Sequence, residues 1–238
     1  MSGRRRAEAW PEDLLLAHPP ARVRLRRHAR ARRFTLSVSR LDGAAQLTAP
    51  ARASLAEARA FLERQGDWLA AALERMPVPR RVAAGGDLPF LGRPVRLTPG
   101  PGPARVEAGR LIVPGAAETA GARALAFLKA SARDALAPAA ERHAAALGLR
   151  PARIALRDTR SRWGSCTSDG ALMFSWRLIM APPEVLDYVA AHEAAHLAEM
   201  NHSPAFWALV AGLRPDWRAQ RAWLRAHGPG LHLLRFTA

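Results

Sequence analysis

The sequence predicts an α+β protein on three observations. Short strand-like runs punctuated by Gly and Pro occupy the first half, two such sets each lead into an amphipathic stretch, and the chain after Pro182 has helical character. In "RRFTLSVSRLDGAAQLTAP", apolar and polar residues alternate on both sides of Asp42-Gly43, which predicts a β-hairpin. After Pro50, "SLAEARAFLERQGDWLAAALERM" predicts one amphipathic helix. Ser54 and Glu57 have capping-box spacing, and Leu55, Ala58, Leu62, Leu69 and Leu73 lie along one side. "PVPRRVAAGG" reads as a linker, and "LPFLGRPVRLTP" and "ARVEAGRLIVPG" as a second set of strands. A long helix is expected from about Thr119 to Leu147, kinked at Pro138. "ARIALRDT" and "ALMFSWRL" read as strands flanking a loop, "RSRWGSCTSDG". The last stretch reads as helix, broken near Asn201-His202 and Arg214-Pro215 and stopped by Gly228-Pro229-Gly230.

With 238 residues, 49% of them hydrophobic and 24% charged, the chain can bury a sizeable core. No apolar run approaches the roughly 20 residues of a membrane-spanning helix. "MSGRRRAEAWPEDLLLAHPP" offers only "LLLA" as an apolar stretch, too short for a secretory signal, and Glu8, Glu12 and Asp13 argue against a transit peptide. The single cysteine, Cys166, excludes an internal disulfide and fits a reducing compartment. A cytoplasmic protein with no membrane association is expected.

The formal net charge is +16, and ten arginines fall within the first 33 residues against three acids. Such a run is either a solvated arm or a surface that attracts nucleic acid or another polyanion. Only Trp10 and Phe34 interleave these arginines, so a dedicated single-strand surface is not indicated.

The chemistry concentrates in "YVAAHEAAHLAEMNHSPAFW". His192 and His196 are four apart, so on a helix they share a face and can chelate one zinc ion. Glu193 then stands beside the metal's water as a general base, the H-E-x-x-H arrangement. A catalytic zinc takes three protein ligands and keeps one position open. Candidates for the third are Glu199 and His202. Glu199 would lie about 10 Å beyond His192 along the helix axis. His202 follows Asn201, a residue that suits a helix end, and Ser203-Pro204 reads as the cap and first turn of the next helix. Geometry and ligand type favour His202. The spacing equals that of the metzincins, but Glu199 replaces their glycine and no Met-turn follows.

"RWGSC", "WRLIMAPPEVLDYV", the H-E-x-x-H, "NHSPAFW" and "PDWRAQRAWL", with "RARRFTLSVS" and "RQGDWLAAAL" before them, resemble the YgjP-like metallopeptidases, relatives of the SprT and WLM zinc proteases. The resemblance runs from about Arg22 to Gly228. It implies zinc ligands His192, His196 and His202, Glu193 as catalytic base, and a zincin-like core in which a small sheet packs on the H-E-x-x-H helix. Ala194 stands where Leu is more usual, a loss of packing volume that touches no ligand. The implied division is a basic arm over 1–21, a β-rich region with one helix over 22–115, and the metallopeptidase core over 116–238.

Arg160 and Arg162 are candidates either for stabilising charge on a substrate or for ion pairs with Asp158, Asp169 or Glu199. Trp163 is expected against the active-site helix, and Cys166 as a small packed thiol rather than a nucleophile. Tyr188 is expected in the core, and Phe206, Trp207, Leu209 and Val210 are expected to pack their helix. His18, His28, His143, His227 and His232 are expected at the surface. The expected function is a zinc-dependent peptidase acting on a peptide or protein. The rivals are a metal-dependent phosphohydrolase acting on nucleotides, favoured by the loop arginines, and a basic nucleic-acid-associated protein with a structural zinc.

Overall fold

The computed structural model describes residues 10–39, 43–76 and 78–236. The chain divides into two compact units, 1–78 and 79–238. The expected boundaries after residues 21 and 115 do not coincide with this division.

In the first unit, β1 (Asp13–Leu16), β2 (Ala21–His28), β3 (Thr35–Val38) and β4 (Ala45–Pro50) form one sheet in the order β1-β2-β4-β3. β1 and β2 take in residues expected in a loose arm, because Leu14 and Val23 alternate inward and are buried there. β3 and β4 pair antiparallel as the hairpin predicts; Asp42 of the expected turn lies outside the described residues. Two helices cover one face of the sheet, α1 (Leu55–Arg64) and α2 (Gly66–Glu74), burying Ala58, Leu62 and Leu69 against Leu14, Val23 and Leu47. The Ser54–Glu57 capping box is formed in both directions. A single helix was expected. It breaks at Gln65-Gly66, where a Cβ on Gly66 would come within 3.2 Å of the His18 carbonyl.

The second unit opens with β5 (Arg80–Arg81) inside the expected linker; it pairs in parallel with β13 (Leu234–Arg235) near the other end of the chain. A four-stranded sheet follows, built from β6 (Asp87–Phe90), β7 (Arg93–Pro99), β8 (Arg105–Glu107) and β9 (Arg110–Val113) in the order β6-β7-β9-β8. The long helix α3 (Ala120–Ala146), with Pro138 inside it, then crosses the core. β10 (Arg153–Arg157), β11 (Gly164–Cys166) and β12 (Ala171–Ser175) make a three-stranded sheet in the order β10-β12-β11. The expected loop between β10 and β12 therefore contains a strand, and β12 has both edges paired. After a 3-10 turn over Trp176–Met180 come α4 (Pro183–Ala195), α5 (Pro204–Leu213) and α6 (Trp217–Leu231). α6 runs through Gly228-Pro229-Gly230 instead of stopping there, with Gly228 flat against Trp163, where a Cβ would meet the ring at 2.8 Å.

α3 and α4 are Ala-rich where they bury their shared side. Ala124, Ala132, Ala139 and Ala140 on one helix, and Ala190 and Ala195 on the other, belong to one core with Leu128, Phe174 and Trp176. Small side chains let two helix backbones approach closely, which fixes α4, and with it the histidines, in a rigid setting. No helix among the described residues is long and apolar enough to cross a membrane.

Candidate metal centre

α4 begins on Pro182-Pro183, with the second proline in the first turn where its missing N–H costs nothing. Near its end it presents His192 and Glu193, and His196 follows as its C-cap residue. The helix stops at Ala195, and the chain turns through Asn201, whose Oδ1 accepts a hydrogen bond from Ser203 N at 3.0 Å. Ser203 in turn caps α5 through Phe206 N at 3.2 Å. This double cap swings His202 back over the first two histidines. Its Nε2 lies 3.2 Å from Nε2 of His192, and one ring nitrogen from each of His192, His196 and His202 falls within 4.8 Å of the others.

The three imidazoles rest on Phe206. Its fully buried ring stacks on His196 at 4.3 Å and lies 4.8 and 4.9 Å from His202 and His192. His196 Nδ1 pairs with the Glu199 carbonyl at 3.0 Å, so its Nδ1 carries the proton and Nε2 is left as the electron donor. Glu199 thus enters the centre through its backbone, and its carboxylate is not part of the cluster. His192 has its Nδ1 buried without a hydrogen-bond partner, so packing between Phe206 and Tyr188 orients it. Tyr188 is buried, as expected.

Burial drives His192 down to about 3, helped by the neighbouring His196 and His202, and burial also lowers His196. Both rings are therefore neutral at pH 7, the form that binds a metal. The Nε2 atoms of His192 and His202, 3.2 Å apart, need a proton or a cation between them. A set of three imidazole nitrogens open on one side, with His202 exposed, fits a four-coordinate ion with one free position.

Glu193 is buried and pushed up to about 8 by burial, against which the Arg162 charge pulls it down. The cavity in front of it has a volume of about 460 Å³ and is lined by Ser161, Arg162, Gly164, Ser165, Cys166 and Met200 beside the three histidines and Glu193. Arg162 belongs to this wall. Arg160 does not, and its charge acts on His232 instead. Cys166 also lines the cavity, but burial and the Glu193 charge raise its thiol to about 11, which leaves it inert as a nucleophile.

Several other expectations change. Asp158 pairs with Arg177, which donates Nε to Oδ1 at 2.7 Å and Nη2 to Oδ2 at 3.1 Å. The same guanidinium donates Nη1 to the carbonyls of Leu231 and Leu234. This buried arginine ties the loop before β11 to the chain beyond α6. Trp163 packs on that side too, 4.9 Å from His232 and against Gly228. His143 and His232 are buried, not superficial, and His143 bonds Asp187 at 3.0 Å. His18, His28 and His227 are exposed as expected. Phe206 and Val210 are fully buried, and Trp207 stacks on Trp217 at 4.3 Å. The lone arginine inside the apolar "FSWRLIM" was the signal that could have revealed Arg177.

The profile described as "YgjP-like, metallopeptidase domain" matches residues 32–227. The chain belongs to the YgjP-like metallopeptidase family. Membership supports a metallohydrolase, and among the described residues the His192–His196–His202 cluster is the group that could hold a metal. No curated protein matches it. Among solved structures, the metallopeptidase zymogen abylysin of Pyrococcus abyssi is similar at 21% identity and a TM-score of 0.30, over 44% of this chain and 92% of that one. A likeness of that grade supports no statement about fold.

Proposed function

We propose that the chain is a zinc-dependent peptidase of the zincin type, with His192, His196 and His202 as ligands and Glu193 as general base. The observation that carries this reading is the convergence of three imidazoles beside a buried, proton-avid carboxylate. A zinc ion held there would supply Lewis acidity and lower the pKa of its water to about 7. Glu193 takes the proton from the attacking water and returns it to the departing amine, a task suited to a group whose affinity for protons is raised toward neutrality. Arg162, on the cavity wall, offsets charge that develops on the carbonyl oxygen. An extended peptide lies along β11, the edge strand of its sheet that lines the cavity, by main-chain pairing. β12, whose edges are both occupied, offers no such edge. The work of the protein is expected in the cytoplasm.

A second reading is a nucleotide phosphohydrolase, favoured by the Arg162 charge at the cavity and by Arg221, which lies 5.0 Å over the Trp207 ring beside His192. Against it, Glu193 is the one carboxylate at the cavity wall among the described residues, whereas two-metal phosphatase sites need several. A structural zinc is disfavoured because such sites are closed and rich in cysteine. Glu193→Gln separates these cases. It keeps its zinc and loses turnover of an unfolded protein substrate if the peptidase reading holds. Hydrolysis of nucleoside triphosphates without peptide cleavage by the wild type supports the second reading, and a metal-loaded wild type inactive on both supports a structural ion.

A further inference from the structure

The open face of the first sheet carries arginines that the metal centre does not use. Along β2 the side chains alternate, Val23 and Leu25 toward the helix-covered core and Arg22, Arg24 and Arg26 toward the other side, where all three are exposed. The strand register places Arg24 beside Gln46 and Ser37, and Arg26 beside Thr48 and Thr35. Each row thus holds one cation and two neutral hydrogen-bonding side chains. Asp13, opposite Arg24, accepts from Arg22 Nε at 2.7 Å and so offsets one of the three charges, and Glu12 lines the same concavity as Arg22 and Arg24. The turn after β2 adds Arg30, Arg32 and Arg33, all exposed. Residues 14–41 contain eight arginines and no acid.

A face with this charge draws polyanions. Alternate residues on a strand repeat every ~6.7 Å, so cations and neutral donors recur along and across a flat surface. That layout suits a chain of evenly repeated charges better than a single anion. Insertion into a membrane surface uses a broad apolar face, and the exposed large hydrophobe on this face is Leu15.

We propose that this sheet face docks the phosphodiester backbone of a nucleic-acid duplex without reading its sequence. Backbone contacts from arginine and from neutral Ser, Thr and Gln side chains position a duplex but carry no base information.

The test is fluorescence anisotropy of labelled DNA and RNA duplexes of about 20 base pairs, with the full chain titrated at several salt concentrations, and vesicles of anionic lipid run in parallel. Binding of either duplex by the wild type is expected, and the tighter of the two identifies the source of the backbone. Arg24→Gln with Arg26→Gln should weaken binding alike for every duplex sequence and shrink the logarithmic salt slope by about 1.8, two contacts at about 0.9 each. Arg24→Lys with Arg26→Lys should restore both. Arg93→Gln with Arg123→Gln removes the same charge from exposed positions elsewhere and should change neither. An unchanged slope in the first variant overturns the proposal. So does an equal loss in the Arg93 and Arg123 control, which would reduce the effect to net charge, or binding of vesicles and of neither duplex.

Discussion

Gly164 on β11 lies flat against the carboxyl group of Glu193: a Cβ at position 164 would stand 2.5 Å from both Cγ and Oε1 of Glu193. The edge strand thus gives up a side chain so that the buried carboxyl can reach the cavity. Gly164→Ala should push Glu193 out of place while leaving the three histidines alone. A displacement of about 1 Å in a catalytic group costs on the order of 100-fold in rate. The expected outcome is a loss of that size in peptide turnover with metal content unchanged, measured on the same preparation. Equal loss of metal would show that the glycine serves the whole centre and not Glu193.

Phe206 supports all three imidazoles, so its removal should be felt at the metal before it is felt by the substrate. Phe206→Ala leaves a cavity in a fully buried position and should cost about 3–5 kcal/mol of stability. The histidines then lose their common floor, and zinc affinity should fall at least ten-fold in a chelator competition. Phe206→Leu, which keeps much of the volume, should recover most of the affinity.

Asp187 on α4 bonds Arg142 and Arg214 at 2.6 Å and His143 at 3.0 Å. Burial raises its pKa, but His143 and Arg214 outweigh burial and hold the carboxyl at about 2, below the usual 3.8. A depressed pKa stabilises the fold wherever the unfolded chain is also ionised. The contribution is about 2 kcal/mol above roughly pH 4 and fades as pH falls toward 2. Asp187→Asn should therefore melt earlier than the wild type at pH 7, with the gap closing below pH 4. A gap independent of pH would contradict this account.

The metal centre was largely legible in the sequence because its parts are local. Two histidines one turn apart, a glutamate between them, and an Asn-His-Ser-Pro turn that returns His202 to the cluster all lie within thirteen residues. The framework around it was less so, because long-range contacts set it. Gly164 reads as one more loop glycine until β11 is seen against α4, and Arg177 acts on carbonyls more than fifty residues away. The continuous helix expected after Pro50 breaks at Gly66, which lies close to the His18 carbonyl, and α6 runs past its glycines where Gly228 packs on Trp163. Both are tertiary contacts that override local propensity.

The central claim is that His192, His196 and His202 hold one catalytic metal. It is tested most directly by elemental mass spectrometry of the purified wild type, His196→Ala and His202→Ala. The account predicts about one zinc per chain in the wild type and a loss in both variants. A wild type that holds no metal after zinc is added back, or variants that both keep full occupancy, would contradict it.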